Sequence, residues 1–298
     1  MRLEFCIGLI CVGPLACGSS GGSWGTSDFG GGSGSGGHGP GAATPAPVNG
    51  FGSLVLADSG GVVPVGDAST GVPSMLTVTI RDFKFWDMTD PTTNPDFQNA
   101  IGAEKGIVAA TLGADHKPVY AANPTTSTTT HGQMYFDQWY HDAPGTNITI
   151  SNYPLPLSAG AGGTYGYDSL VSGVALSAKT PTKEWFPIDD GTPYATMFGN
   201  QGQTHNYSFT TELHTVFVYR GGETFSFSGD DDCFVFVNNA LVIDLGGVHQ
   251  RAMGTVALDT LGLVKGMQYP LDVFNAERRM IESNFSFTTT IKLQPAAQ

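Results

Sequence analysis

From Met75 onward the chain alternates apolar and polar positions in short runs, and no long stretch carries an apolar stripe at the 3.6-residue helical period. "MLTVTIRDFKFWD" opens the pattern. "GQMYFDQWY" (132–140), "NITISNYPLPL" (147–157) and "GTYGYDSL" (163–170) continue it as strands or extended pieces. "NYSFTTELHTVFVYRGGETFSFSG" predicts two strands broken at Gly221-Gly222. "CFVFVNNALVID" predicts a hairpin, because Asn238-Asn239 suits the left-handed positions of a tight turn. "GTVALDTLGL", "MQYPLDVFNAE" and "NFSFTTTIKL" add further strands, and "NPDFQNAIG" is the one place where a helical turn is expected. Strands every ten residues or so, with turn residues between, predict an all-β antiparallel sandwich with few short helices.

The pattern before Met75 differs. Phe5–Ala16 is an apolar run too short to span a bilayer as a helix, and it reads as the core of a signal peptide. It ends in Leu15-Ala16-Cys17, which resembles a bacterial lipobox with Pro14 where Leu is usual. The expected boundaries are a lipoprotein signal at 1–16, a tether at 17–50, a lead-in at 51–74 and a β-sandwich at 75–293. Cys17 would carry lipid, with plain secretion or an uncleaved anchor as alternatives. Residues 18–42 hold twelve Gly and six Ser in 25 positions, which cannot bury a core and suit a disordered tether. Export to a bacterial cell surface or outer membrane follows from this reading. Once Cys6 and Cys11 leave with the signal and Cys17 is lipidated, Cys233 is the remaining thiol. It lies in phase with Val235 and Val237 on a strand whose other face carries Phe234 and Phe236, so it is expected to be buried.

Composition narrows the partners. The 298 residues are 40% hydrophobic and only 13% charged, with a net charge of −13. That excess of negative charge disfavours nucleic acid and anionic membrane surfaces, which leaves hard cations and neutral ligands such as sugars. Enzyme signatures are missing: there is no Gly-x-Ser-x-Gly elbow, no HExxH and no phosphate-binding loop. Asp189-Asp190 is not expected to form a catalytic pair. His131, Asp137, His141 and Asp142 do not fall on one strand face, and Trp139, Tyr140 and Trp185 are expected to fill the core.

The chemistry concentrates in "FSFSGDDDCFVFV", where Asp230, Asp231 and Asp232 share one corner between two strands. Like charges so placed repel unless a cation compensates them. Oxygen ligands on a loop suit Ca²⁺, which takes 6–8 of them. A second loop must supply the remainder, and "FNAERRMIESN" offers Asn275, Glu277, Glu282 and Asn284. A turn neutralised by Arg278 and Arg279 explains the same charges without metal. Asp244 is expected to cap its own turn, and His249 to share the rim. Gly246-Gly247 allow a bend.

Taken together, "GIVAATLGADHKPVY", "FDQWYHDAPGTN", the segment from His205 to Gln250, "YPLDVFNAERR" and "SNFSFTT" resemble the fibro-slime domain of secreted bacterial and slime-mould proteins. The central segment is also similar to the anthrax protective-antigen-type sandwich of yeast flocculins and adhesins. There the resemblance places the family's Asp pair on Asp230-Asp231, joined by a cis peptide and binding Ca²⁺ that holds sugar hydroxyls. Asn275 is the nearest match to the completing Asn, with Glu277 close by. Gly229 and Asp232 depart from the family's Ser-Asp-Asp-Gly turn. The resemblance implies a surface adhesin that binds glycan through Ca²⁺ at Asp230, Asp231 and Asn275; His249, from its place on the rim, is expected to join the ligand site. The alternatives are an extracellular-matrix interaction module with neither metal nor sugar, and an accessory part of a polysaccharide-active enzyme system.

Overall fold

A computed structural model describes residues 71–97, 101–172 and 184–296. The expected signal, tether and most of the lead-in fall outside these residues. Fourteen strands are described: β1 (Met75–Phe83), β2 (Gly102–Ala103), β3 (Asn147–Pro156), β4 (Ser158–Ala159), β5 (Tyr165–Asp168), β6 (Phe209–Val218), β7 (Thr224–Gly229), β8 (Asp232–Val237), β9 (Ala240–Leu245), β10 (Gly247–Val248), β11 (Ala252–Ala257), β12 (Gln268–Glu277), β13 (Phe285–Thr289) and β14 (Gln294–Pro295).

One sheet runs β3-β1-β6-β12-β8-β9, with β14 also on β6. The other runs β11-β7-β13-β5-β4, and β10 pairs with β2 in a separate ribbon. All of these pairings are antiparallel. Alternate residues of the two sheets meet in one core: Leu213, Val235, Val273 and Cys233 from the first, Phe225, Phe227, Phe285 and Phe287 from the second. This is the expected sandwich. Cys233 is buried, on the same side as Val235 and Val237. The hairpin is also as expected, with Asn238 and Asn239 at φ 51° and 65° between β8 and β9.

The opposite face of the first sheet is covered as well. Phe234 and Phe236 of β8 and Phe274 and Ala276 of β12 pack against Phe97, Ile107 and the helix α1 (Gln133–Tyr140). Every residue of β8 is therefore buried, and nine-tenths of β12 is buried or half-buried. This explains why "CFVFV" is apolar without alternation in hydrophobicity.

The helix corrects the strand expected at 132–140. Phe136, Trp139 and Tyr140 are its buried residues, and their i, i+3, i+4 spacing puts them on one helical face. The expected turn in "NPDFQNAIG" is a single hydrogen-bonded turn, Phe97 N to Asn94 O at 3.2 Å, and not a helix. Residues 98–100 lie outside the described residues. No described helix is long and apolar enough to cross a membrane.

Candidate functional site

Two chain crossings between the sheets meet at one end of the sandwich. β7 of the second sheet leads through Asp230-Asp231 into β8 of the first, and β12 leads through 278–284 back into β13. The register sets them side by side, with Asn275 opposite Cys233, Ala276 opposite Asp232, and Phe285 opposite Gly229. The backbones come so close that a Cβ on Gly229 would sit 2.4 Å from Asn284 O. That close approach accounts for glycine where the resemblance expected serine.

The peptide between Asp230 and Asp231 is cis. Asp230 accepts hydrogen bonds from the backbone N–H of Asn284 and from its side-chain Nδ2, the latter at 2.9 Å. Asp231 Oδ2 accepts from Arg278 N at 3.0 Å. Asn275, expected as an oxygen ligand, uses its amide nitrogen to hold the corner: Nδ2 donates to Asp230 O at 3.0 Å and to Asp232 O at 2.8 Å.

Asp232 departs from its expected role among the metal ligands. Its Oδ1 accepts from Gly247 N at 2.6 Å and its Oδ2 from Arg278 Nε at 2.7 Å. Arg278 is fully buried. Its Nη1 donates to Asp96 O and Thr129 O, and its guanidinium lies 4.5 Å from the Trp139 ring centroid. The third aspartate thus has a cation of its own and faces away from Asp230 and Asp231 in function. Arg278 was a candidate neutraliser in the sequence; its reach to Trp139 and Asp96 was not readable there.

Glu277 is wholly buried, and its Oε2 has no hydrogen-bond partner. Burial raises its pKa well above the usual carboxylate range, and the neighbouring Asp231 and Asp230 raise it further. Burial likewise raises Asp230, against the hydrogen bonds from Asn284, and Asp231 more strongly, against the opposing pull of Arg278. Three carboxyls that resist ionising at one corner mark a place short of positive charge.

This donor set fits a hard cation in part. Among the described residues no three His, Cys, Asp or Glu side chains converge closely enough to enclose an ion. A Ca²⁺ ion here would rest on Asp230 and Asp231, with amide and backbone oxygens completing the shell.

Asp230 and Asp231 line a concavity of about 260 Å³. Ile101, Val248, Met280 and Ile281 supply aliphatic walls, and His249, Gln250, Arg279 and Glu282 the polar part. The ring nitrogens of His249 lie 2.8 Å from Gln250 O and 3.2 Å from Leu245 O, so local carbonyls hold the ring at the rim. Asp244 caps backbone as expected, accepting from Gly106 N and Gly246 N. Gly247 makes the bend at φ 99°.

The other polar candidates are structural. Asp189 accepts from His205 Nδ1 and Asn206 N, His131 meets Asp96, and His141 meets Asp115. Trp139, Tyr140 and Trp185 are core residues. Asn147, Asn206 and Asn284 head the three tripeptides "NIT", "NYS" and "NFS", which fit the Asn-x-Ser/Thr glycosylation pattern. Each is buried, and each spends its side-chain amide as a donor inside the fold.

Residues 195–295, about a third of the chain, match the model of the PA14 domain family. Protein psiR of Dictyostelium discoideum is 38% identical over 204 residues, covering 67% of this chain and 20% of psiR. Protein psiQ is 38% identical over 220 residues, covering 70% of this chain and 21% of its own. Protein psiD is 38% identical over 204 residues, covering 66% and 38%. The chain therefore spans between a fifth and two-fifths of the length of these relatives. All three are slime-mould proteins, which lends no support to the bacterial source implied by the lipobox. Among solved structures, the PA14 domain of the MpAFP antifreeze protein is 13% identical, over 28% of this chain and 42% of that one, with a TM-score of 0.22. A β-glucosidase from Kluyveromyces marxianus is 18% identical, over 30% and 12%, with a TM-score of 0.21.

Proposed function

We propose that this chain is a cell-surface binding module that recognises glycan through Ca²⁺ held at Asp230 and Asp231. The observation that carries this reading is the adjacent carboxylate pair Asp230-Asp231 lining an open concavity at the end of the sandwich. The PA14 match agrees with the adhesin-type sandwich to which the sequence is similar. A bound Ca²⁺ supplies a positive centre able to accept two sugar hydroxyls. The chain's own task is to hold the pair rigid through Asn275, Asn284 and Arg278, and to shape the rim.

Ca²⁺ binding only to the folded state stabilises it, by about 2.7 kcal/mol at a hundredfold excess over the dissociation constant. Thermal unfolding with millimolar Ca²⁺ against chelator should show that gain. Asp231→Ala should abolish it. Asp189→Ala lowers the midpoint through its lost hydrogen bonds to His205 and Asn206, yet should keep the Ca²⁺ increment.

A second reading draws on Arg278, which already neutralises Asp232. It makes the corner purely structural and the chain a matrix module that associates with proteins. An unchanged wild-type midpoint would favour it. We also propose that Cys17 anchors the chain by lipid and that the domain works outward from a membrane surface. Cys17→Ser should then release the protein from the membrane fraction, and a variant that stays there would overturn the anchor.

A further inference from the structure

The walls of the concavity differ chemically from its floor. Three separate segments bring aliphatic side chains to it: Ile101 just before β2, Val248 on β10, and Met280-Ile281 between β12 and β13. The β2–β10 ribbon, with Gly102 opposite Val248, fixes the first two beside each other. Ile101 and Ile281 are 66% and 77% exposed, although each flanks a polar floor. Among the described residues no Phe, Tyr or Trp lines the concavity, and its one ring, the His249 imidazole, is held at the rim by the carbonyls of Gln250 and Leu245. The stacking platform that usually receives the flat face of a pyranose is thus replaced by methyl and methylene groups around its edge. The volume lies below the range for drug-sized ligands, which suits one terminal sugar ring and not an internal stretch of chain.

We infer that the site selects a terminal hexose whose C5 carries a methyl group, a 6-deoxyhexose, over the same sugar with a hydroxymethyl group. This rests on the glycan reading above and names the class of sugar. With two ring hydroxyls directed at the Asp230-Asp231 floor, the substituent at C5 meets the aliphatic wall. A methyl there loses contact with water and gains the side chains of Ile101 and Ile281. A hydroxymethyl set against the same side chains gives up water there and gains no hydrogen bond from Ile101 or Ile281, and a covered polar group without a partner is unfavourable. The two terms act in the same direction, so the discrimination is on the order of tenfold.

The test uses the whole chain with millimolar Ca²⁺ and calorimetric titration of sugar pairs that differ only in the 6-hydroxyl. These are D-fucose against D-galactose, L-fucose against L-galactose, and L-rhamnose against L-mannose. In every pair that binds, the deoxy sugar should bind about tenfold tighter. The exposed pair Ile101→Ser with Ile281→Ser should bring the two members to parity. Equal affinities in wild type, or a preference for the hydroxymethyl sugar, would overturn the inference and leave glycan binding in place. Preference that survives the double substitution would overturn the assignment of the aliphatic wall. If no member of any pair binds, the glycan reading falls and the inference with it.

Discussion

Asp82 shows what burial does to a single carboxyl in this fold. It is fully buried at the end of β1 and accepts from Thr196 Oγ1 and from Asn206 Nδ2 at 2.8 Å. Burial pushes its pKa up to about 7; the two hydrogen bonds pull it down but do not win, and the nearby Asp190 charge adds to the rise. An unfolded Asp titrates near ~3.9. Between about pH 4 and 7 the folded chain holds a proton that the unfolded chain has lost, so stability falls as pH rises through that window. Asp82→Asn keeps the shape and an acceptor while removing the charge. Denaturant midpoints measured from pH 4 to 8 should decline less steeply for that variant than for wild type. An unchanged slope would mean that Asp82 is ionised in the folded state. Little of this was legible in the sequence, where Asp82 is one polar residue in an alternating strand. Its burial depends on Thr196 and Asn206, more than a hundred residues away. Asp244 was legible because its partners include Gly246, two positions on, in its own turn.

At the scale of elements, Arg278 joins what no local pattern joins. Its backbone N–H and Nε hold Asp231 and Asp232 at the sheet crossing, while its Nη1 and its flat face hold the covering layer at Asp96, Thr129 and Trp139. Removing one partner of a buried pair leaves the other charge uncompensated. Arg278→Leu should therefore cost about 3–5 kcal/mol, while Arg278→Leu with Asp232→Asn should cost clearly less. Chemical denaturation of both variants decides it, and a cost below about 1 kcal/mol for the single change would show that Asp232 finds another partner. The strands and the β8–β9 hairpin were readable because period-2 alternation and Asn-Asn turn chemistry are local signals. The helix at Gln133–Tyr140 was misread because a short run rich in aromatics fits both periods. Phe136, Trp139 and Tyr140 face one way only when wound at 3.6 residues per turn. The Asp corner was found from its charges. The division into two aspartates at the concavity and one paired with Arg278 needed the register of β8 against β12.

For the whole molecule, the PA14 match covers less than the sheets do. Residues 195–295 contain β6 to β14, but β1 lies between β3 and β6 in the first sheet, and β5 and β4 extend the second. The covering layer from Phe97 to Tyr140 also precedes the matched region. The unit that must fold together therefore includes β1, β3 and the covering layer as well as the matched residues. It also explains why the slime-mould relatives align over two-thirds of this chain and not over the matched third alone.

The double burial of β8 and β12 bears on how the chain can be handled. A fragment cut to 195–295 would keep Phe234, Phe236 and Phe274 but lose the layer that shields them, leaving apolar strand surface open to other copies of itself. Such a fragment should pellet or form high-molecular-weight species on sedimentation under conditions where the released Cys17→Ser chain does not. A monomeric, cooperatively unfolding 195–295 would show instead that the outer layer is an accessory. The family-matched core is therefore not portable: shuffling it between proteins without its preceding hundred or so residues would create an aggregation hazard in place of a binding domain.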